Sequence, residues 1–250
     1  MSESALIMPL AVLLLLALAG ASGHPTGAAP GSHHRSYVTR FPLAEDPISE
    51  GGQWVNGRKE GLDWADVCTR AGLAYGTEPG TVKYDDSTAL LTGAWEPDQM
   101  AEATVHATNQ NAKIFEEVEL RLRSSLSAHR ATGYEILFRC LKTEEAYLEI
   151  VRWNGPLGDF TYLNRGRGSR YGVADGDVVR ATVIGDMITA YINGVPMLQA
   201  TDDTYASDSP GMGFYLEGAS GVNSDYGFTS FLASDEPARL AGAEAAALER

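Results

Sequence analysis

The sequence is poor in basic residues and has no concentrated patch of them. Its 19 lysine and arginine residues are outnumbered by 33 aspartate and glutamate residues, so the formal net charge is −14. A protein that binds a nucleic-acid backbone needs clustered lysine and arginine. A membrane-surface role is disfavoured for the same reason, because the chain contains no polybasic run. We therefore expect no nucleic-acid partner.

Long hydrophobic runs are also scarce, and the only one lies at residues 5–19. It is followed by the small-x-small pattern Ala19-Gly20-Ala21, and it is shorter than the about 20 apolar residues of a membrane span. This pattern predicts a signal peptide over residues 1–21 that is cleaved on export. Because no lysine or arginine precedes the run, an uncleaved anchor is the alternative. We expect a secreted or cell-envelope protein with no membrane insertion after cleavage.

Composition changes again on either side of the predicted domain. Residues 22–36 are rich in Gly, Pro, Ala and Ser. They cannot bury enough apolar surface to offset their chain entropy, so a flexible linker is predicted there. Residues 235–250 are rich in Ala, Glu and Arg and are predicted to be a frayed helix or a disordered tail. One folded domain is expected over residues 37–234.

The predicted domain consists of short strands separated by turns. Over residues 177–201 apolar and polar residues alternate, and turns fall at Gly185-Asp186 and Asn193-Gly194. Asn-Gly accepts the positive φ angles of a type I′ turn, so a three-stranded meander is predicted, with Pro196 restricting its last strand to an edge or a strand start. Further β-rich segments lie at residues 101–108, 118–122, 134–142, 147–153, 160–164, 212–217 and 226–232. With no convincing internal helix, the pattern indicates an antiparallel all-β sandwich or barrel.

Several stretches resemble the concanavalin A-like, laminin G-like jelly-roll superfamily. Residues 175–181 (DGDVVRA) and 188–194 (ITAYING) are similar to its strand–turn–strand signature, and residues 223–228 (NSDYGF) are similar to its closing strand. The opening stretch at residues 41–64 resembles its N-terminal region. The resemblance covers about residues 38–233 and implies an antiparallel jelly-roll β-sandwich. Because the superfamily includes lectins, carbohydrate-binding modules, glycoside hydrolases and polysaccharide lyases, it implies a polysaccharide or glycan ligand and leaves the activity open.

The motif of the glycoside hydrolases in this superfamily is incomplete here. Relatives that cut β-glucans carry E-x-D-x-x-E on a strand, whereas this chain reads EVELRL from Glu117, with leucine in place of the last acid. Glu117 and Glu119 share one strand face, so rotation can bring their carboxyl groups to the about 5–5.5 Å of a retaining glycosidase. The alternative is a solvated ladder in which Glu119 and Arg121 pair with Glu135 and Arg139 across strands.

The lyase motif is incomplete as well. Alginate-lyase-like relatives use R-[ST]-E-x-R and Q-[IV]-H strands, and the one histidine in a predicted strand here, His106, has no glutamine before it. A histidine with a tyrosine can abstract the proton α to a carboxylate. The alternative role of His106 is that of a polar residue on an exposed strand face. We therefore interpret the protein as a non-catalytic glycan- or partner-binding module, with a polysaccharide-degrading enzyme as the alternative.

A glycan-binding site is predicted on the strands that carry Trp153 and Tyr162. Sugar rings stack on aromatic faces, and a few polar groups fix the ligand's orientation. Strand alternation puts Glu149 and Trp153 on one face, and residues 160–164 return beside them. The predicted binding residues are Trp153 and Tyr162 for stacking and Glu135, Arg139 and Glu149 for polar contacts. The alternative is that the aromatic residues pack in the core.

Calcium is a further expectation that the resemblance implies. Proteins of this superfamily often carry a structural calcium near acidic loops, and Asp202, Asp203 and Asp225 supply hard oxygen ligands in predicted loops. No twelve-residue EF-hand loop occurs in the sequence. The alternative is that these acids form Asx turns on an acidic surface.

Cysteine is nearly absent, with only Cys68 and Cys140 in the whole chain. One disulfide is therefore the maximum, and export permits it. The alternative is a buried free thiol, because Cys140 follows Tyr134, Ile136 and Phe138 on one strand face. The sequence leaves both readings open. Neither cysteine has a histidine partner pattern that indicates a nucleophile.

Overall fold

The computed structural model describes residues 34–218 and 220–237. The predicted signal peptide at residues 1–21, residues 22–33 of the predicted linker and residues 238–250 of the predicted tail lie outside the described residues. The described chain belongs to one structural unit that begins at His34. None of its helices is both long enough and apolar enough to cross a membrane.

Within the described residues, the chain forms fifteen strands in two antiparallel sheets. The strands are β1 (Ser36–Thr39), β2 (Trp54–Asn56), β3 (Val67–Arg70), β4 (Leu73–Gly76), β5 (Ser87–Leu91), β6 (Gln99–Ala107), β7 (Phe115–Ser127), β8 (Arg130–Arg139), β9 (Tyr147–Gly155), β10 (Phe160–Arg167), β11 (Val178–Ile184), β12 (Met187–Ile192), β13 (Val195–Thr201), β14 (Ser209–Glu217) and β15 (Tyr226–Ser234). Short helical turns lie at Gly57–Gly61, Ser169–Tyr171 and Asn223–Asp225. The predicted all-β antiparallel sandwich is confirmed.

The strand order of each sheet is not the chain order. The eight-stranded sheet has the order β13-β12-β11-β6-β15-β4-β3, and β1 pairs with β15. The seven-stranded sheet has the order β10-β9-β8-β7-β14-β5-β2. Strands that are distant in sequence, such as β7 and β14, therefore lie side by side, and this arrangement assembles the site described below.

The predicted meander is confirmed as β11, β12 and β13. Asn193 and Gly194 have φ angles of 51° and 75°, as the predicted hairpin turn requires. The strand β13, which contains Pro196, lies at the edge of the eight-stranded sheet, where its missing N–H costs no ladder hydrogen bond. The alternation and the turn residues therefore predicted the three strands, and Pro196 indicated the edge position of the last one.

Hydrophobic side chains from both sheets meet between them. In β7, Val118, Leu120 and Leu122 are fully buried in this core. Because successive side chains point to opposite faces of a strand, Glu117, Glu119 and Arg121 lie on the outer face of the seven-stranded sheet. A second apolar cluster lies on that outer face and consists of Trp64, Ala131, Leu137, Val151 and Trp153.

The folded body begins and ends slightly outside the boundaries expected from composition. The backbone N–H of Arg35 donates to Asp235 at 2.5 Å, and the backbone N–H of Asp235 donates to the Arg35 carbonyl at 3.1 Å. Asp235 also accepts a hydrogen bond from the backbone of Glu96 and is buried. These contacts hold Arg35 and Asp235 against the domain, although the first belongs to the predicted linker and the second to the predicted tail.

Both cysteines are free and buried. Cys140 packs in the core between the sheets with Phe138 and Ile136. The Cys68 thiol donates to Asp46 at 2.9 Å, and burial, together with that carboxylate, raises the pKa of Cys68 to about 12. The sequence left open whether Cys68 and Cys140 form a disulfide, and in the structure both are buried free thiols.

Candidate functional site

A cleft of about 260 Å³ lies on the outer face of the seven-stranded sheet. Strands β7 to β10 and β14 form its floor, and the loop before β5 contributes to its wall. Six carboxyl groups line it, namely Asp86, Glu117, Glu119, Glu135, Glu149 and Glu217. The cleft therefore combines a rigid sheet with an unusual density of acidic side chains.

Strand register explains why residues from different parts of the chain meet here. Glu119 pairs with Leu137 of β8, Leu137 pairs with Glu149 of β9, and Glu149 pairs with Arg165 of β10. All of these side chains point outward because the register keeps the same face exposed along the row. Two parallel rows flank this one, with Glu117 opposite Arg139 and Arg121 opposite Glu135.

Arg121 is the centre of the acidic cluster. Its guanidinium lies 2.6 Å from Glu119, 2.6 Å from Glu135 and 3.2 Å from Asp86. Burial, together with neighbouring acids that include Glu135, raises the pKa of Glu119 well above its usual value and that of Asp86 to about 7, and the Arg121 charge opposes both shifts. The ladder is therefore buried, and the expectation of a solvated one is wrong.

Gly213 of β14 makes room for this cluster. It pairs with Glu119 in the register, and a Cβ atom built on it would lie 2.2 Å from Glu119 Oε2 and 3.1 Å from Arg121 Nε. A side chain at this position would displace the carboxylate from the guanidinium. The glycine is required here by close approach rather than by its backbone angles.

Glu117 differs from the other carboxyl groups because its hydrogen-bond partner is a tyrosine. The Tyr147 hydroxyl donates to it, and no lysine or arginine among the described residues forms an ion pair with it. Burial is the main reason that its pKa is raised to about 8, and the Tyr147 hydrogen bond and the Arg139 charge oppose the shift. Glu117 is thus largely protonated at neutral pH and can donate a proton.

An aromatic rim borders the cleft on the side of β10. Tyr162 is 45% exposed, and its ring centre lies 5.3 Å from that of Phe160, which in turn lies 5.4 Å from that of Tyr84. The Arg165 guanidinium stacks 4.0 Å from the centre of the Tyr162 ring and binds Glu149 at 2.6 Å. The rim therefore presents an accessible ring next to an oriented carboxylate–guanidinium pair.

Trp153 lies at the bottom of the cleft and is only 3% exposed. Its ring packs against Trp64 and Phe160, with centroid distances of 5.7 and 5.4 Å. Its Nε1–H donates to Glu135 at 2.5 Å. This burial leaves little ring surface for a ligand, so the accessible stacking surface of the predicted pair belongs to Tyr162.

The remaining polar residues predicted from the sequence have different positions. Arg139 is buried under the Phe115 ring, with its Cζ atom 4.3 Å from the ring centre. His106 lies on the outer face of the eight-stranded sheet, on the opposite side of the sandwich, and its Nδ1 is 3.0 Å from Asp175. The structure therefore does not bring His106 together with Glu117.

The acids predicted to bind calcium do not meet in one place. Asp202 follows β13 and binds Arg152 at 2.5 Å, Asp203 is exposed beside it, and Asp225 precedes β15. The register puts Asp202 and Asp225 at opposite ends of the eight-stranded sheet. Among the described residues, one group of three acids has ligand atoms close enough for a metal ion: Asp86, Glu119 and Glu135, within 4.8 Å of one another. Arg121 already binds all three, so calcium stays a prediction from the resemblance.

Sequence reasoning missed several residues of the cleft, among them Tyr84, Asp86 and Tyr147. Asp86 and Tyr84 come from the loop before β5, where the sequence shows no recognisable strand pattern. Tyr147 begins β9, and its contact with Glu117 depends on the pairing of β7, β8 and β9. A signal for Tyr147 was available, because strand alternation from Glu149 puts it on the same outward face.

Comparison with known proteins reveals similarity of fold and not of sequence. No protein-family model and no curated protein sequence matches this chain significantly. The carbohydrate recognition domain of Emp46p, in its metal-free form, matches with 13% identity and a TM-score of 0.53, over 79% of this chain and 94% of that one. The VIP36 exoplasmic/lumenal domain, in a Ca²⁺/Man3GlcNAc-bound form, matches with 11% identity and a TM-score of 0.54, over 79% and 89%. A carbohydrate-binding module from Bacillus subtilis covers 76% of this chain and 96% of that one, with 12% identity and a TM-score of 0.49. The matches to Emp46p and VIP36, whose TM-scores exceed 0.5, show that the chain has the jelly-roll β-sandwich fold that its sequence resemblance implies.

Proposed function

We propose that the protein is an exported, non-catalytic glycan-binding module and that the glycan binds in the cleft on the outer face of the seven-stranded sheet. The observation that carries the proposal is the exposed Tyr162 ring beside the Glu149–Arg165 pair. A sugar unit presents an apolar ring face and a rim of hydroxyl groups. An aromatic face next to fixed donors and acceptors complements both.

The polar groups beside Tyr162 are already held in place before a ligand binds, and this supports the proposed glycan site. Glu149 and Arg165 hold each other in place, and the Arg165 guanidinium rests on Tyr162, so these polar groups lose little freedom when a ligand binds. The residues stand on paired strands of a sheet rather than on long loops. The VIP36 exoplasmic/lumenal domain, which has a similar fold, has a structure in a Ca²⁺/Man-bound form. That likeness supports the class of ligand and not its identity.

Tyr162→Ala should abolish most glycan binding without unfolding the protein. The exposed ring contributes stacking but little core packing, and hot-spot aromatics commonly cost about 2 kcal/mol or more of binding on truncation. Binding to a glycan array and thermal melting of the purified protein test this. Tyr191→Ala is the matched control, because Tyr191 lies on the outer face of the eight-stranded sheet and should leave binding unchanged. Equal binding by wild type and Tyr162→Ala would reject the site.

Glycoside hydrolysis is the second candidate, and Glu117 is the observation that favours it. Its carboxyl group has a pKa of about 8, lies within the cleft and is held by Tyr147. A protonated carboxylic acid in this position is suited to protonate the oxygen of a glycosidic bond. The second carboxylate that such a reaction requires would be Glu149, whose pKa is raised by burial and lowered by Arg165.

A polysaccharide panel separates the two functions. We expect no release of reducing sugar and no absorbance of unsaturated products from the wild type. If turnover occurs, it should be lost in Glu117→Gln and should decline as the pH rises through about 8, because the acid form disappears. Glu102→Gln, on the opposite sheet, is the control. Turnover that disappears in Glu117→Gln and not in Glu102→Gln would replace the binding proposal by the hydrolase.

A further inference from the structure

At one end of the cleft, Tyr147 lies between two arginines, Arg139 on one side and Arg167 on the other. Tyr147 pairs with Arg167 of β10, and on its other side the register continues to Arg139 of β8. The Cζ atom of each arginine is 5.9 Å from the centre of the Tyr147 ring. This separation is within the range of a cation–π contact, so the ring helps to hold both positive charges at one place. We call Arg139, Tyr147 and Arg167 the arginine end of the cleft.

None of the carboxyl groups that line the cleft forms an ion pair with the arginine end, although the Arg167 charge acts on Glu149. Asp86, Glu119 and Glu135 bind Arg121, and Glu149 binds Arg165. Glu217, on the neighbouring strand β14, binds Lys83 at 3.1 Å. Among the described residues, no carboxylate oxygen comes within 4 Å of the guanidinium of Arg139 or Arg167.

Glu117 is the acid of the same row, and it adds little negative charge. It accepts the Tyr147 hydroxyl, and burial raises its pKa to about 8. At neutral pH the row Glu117, Arg139, Tyr147 and Arg167 therefore has an excess of positive charge. This excess is local and opposite in sign to the whole chain, whose formal net charge is −14.

The two arginines differ in accessibility. Arg139 is 2% exposed and covered by Phe115, and its Nη2 donates to the Ile114 carbonyl at 2.5 Å. Its Nε and Nη1 atoms are buried and have no hydrogen-bond partner. Arg139 is thus a fixed charge below the cleft, where water screens it weakly. Arg167 is exposed and lines the cleft, so it can contact a ligand directly.

We propose that the arginine end of the cleft recognises an anionic group on a sugar unit, either a uronate carboxylate or a sulfate ester. The inference rests on the proposed glycan-binding function and names its ligand class. Arg167 contacts the anion through its planar fork of N–H donors, which fits two oxygens at once. Arg139 is a positioning residue that acts through its charge, and Tyr162 and the Glu149–Arg165 pair bind the neighbouring sugar.

A continuous polyanion does not fit the same observations. The arginine end is one place on an otherwise acidic molecule, and the neighbouring rows of the cleft contain Asp86, Glu119, Glu135 and Glu149. A polymer with a charge on every unit would meet these groups next to the arginines. The expected ligand is therefore a short oligosaccharide, or a polymer in which acidic units are separated by neutral ones.

Matched pairs of oligosaccharides test the proposal with the full-length exported protein. The first pair is a galactan oligosaccharide that carries one galacturonate unit and its methyl ester, and the second is a galactan tetrasaccharide with one sulfate ester and its desulfated form. Calorimetry should show that at least one anionic member binds about tenfold or more tightly than its neutral partner. Which pair shows the difference identifies the source of the anion. The preference should weaken at high salt, because Arg167 is exposed.

Substitutions test whether the preference for the anionic oligosaccharide depends on the arginine end. Arg167→Gln should remove the preference for the anionic member, whereas Arg70→Gln, an exposed arginine of the eight-stranded sheet, should keep it. Arg139→Lys keeps the buried charge and should retain most of the preference. Loss of the preference in Arg70→Gln as well would overturn the assignment to the arginine end.

The outcomes distinguish this proposal from the function on which it rests. Binding of both members of each pair with equal affinity, and its loss in Tyr162→Ala, would overturn the anionic specificity and retain the glycan site. Absence of binding to any glycan in the array and in these pairs would reject both. Preference for the neutral members would also overturn the proposal, since it would show that the acids of the cleft dominate.

Discussion

Replacing Arg121 with methionine should lower the free energy of unfolding by about 3–5 kcal/mol near pH 7.5. The guanidinium binds Asp86, Glu119 and Glu135, all of them buried, and their ligand atoms lie within 4.8 Å of one another. Methionine has a similar length and cannot neutralise them. Removing one partner of a buried ion pair costs more than the pair contributes, because the remaining charges stay buried without compensation.

Urea unfolding of Arg121→Met and of a matched control measures the effect. Lys83→Met removes a cation from the Lys83–Glu217 pair, in which Lys83 is largely exposed, and should have little effect on the free energy of unfolding. A loss for Arg121→Met as small as that for Lys83→Met would mean that the cluster does not depend on the arginine charge.

The destabilisation should depend on pH with a defined sign. Without Arg121, the pKa values of Asp86 and Glu119 rise further in the folded state, whereas in the unfolded chain they return to about 4. The folded state then binds more protons, so the stability of the variant should fall as the pH rises from about 5 to 8. Below that window the protonated acids no longer repel one another, and the difference from wild type should shrink.

Trp153→Ala should cost about 3–5 kcal/mol of stability, as expected for a large aromatic residue removed from a packed cluster. Trp153 is almost fully buried between Trp64 and Phe160, and its Nε1–H donates to Glu135. Alanine leaves a cavity and removes the donor from a buried carboxylate. Thermal melting should therefore show a large decrease in the melting temperature.

Two variants separate packing from ligand contact at this position. Trp153→Phe keeps an aromatic ring and loses only the Nε1–H, so its stability should lie between wild type and Trp153→Ala. Tyr162→Ala should melt near the wild-type temperature and lose binding. Unchanged melting of Trp153→Ala with complete loss of glycan binding would show that Trp153 is the stacking residue after all.

The strands were predictable because their signal is local. Alternation between Val179, Ala181 and Val183 and their polar neighbours, with a turn at Asn193-Gly194, needs no information beyond the sequence, and the meander has those bounds within two residues. The same alternation put Glu117 and Glu119 on one face and Glu149 and Trp153 on one face. Both pairs now lie on the floor of a single cleft.

The environment of those side chains was not predictable from alternation. A strand such as EVELRL has the same pattern whether its polar face meets water or other parts of the protein. Here residues from distant segments cover that face, including Trp64, Tyr84 and Phe160. As a result Glu119 and Arg121 are buried. The structure therefore contains a desolvated ion cluster where a solvated row of charged side chains was expected.

The sequence by itself determined the class of fold, the central meander and the face on which the acidic and aromatic residues lie, since these follow from a period of two residues and from turn chemistry. Only the tertiary structure decided which residues meet and what charge they have. The pairing of β7 with β14 and of β9 with β10, and the loop that carries Asp86, bring together groups that are far apart in the chain. Burial then changes their chemistry: it raises the pKa of Glu117 to about 8 and leaves the Nε and Nη1 atoms of Arg139 without hydrogen-bond partners. These properties depend on the dielectric environment and on contacts with residues that are distant in the sequence, and neither can be deduced from the residues of one strand.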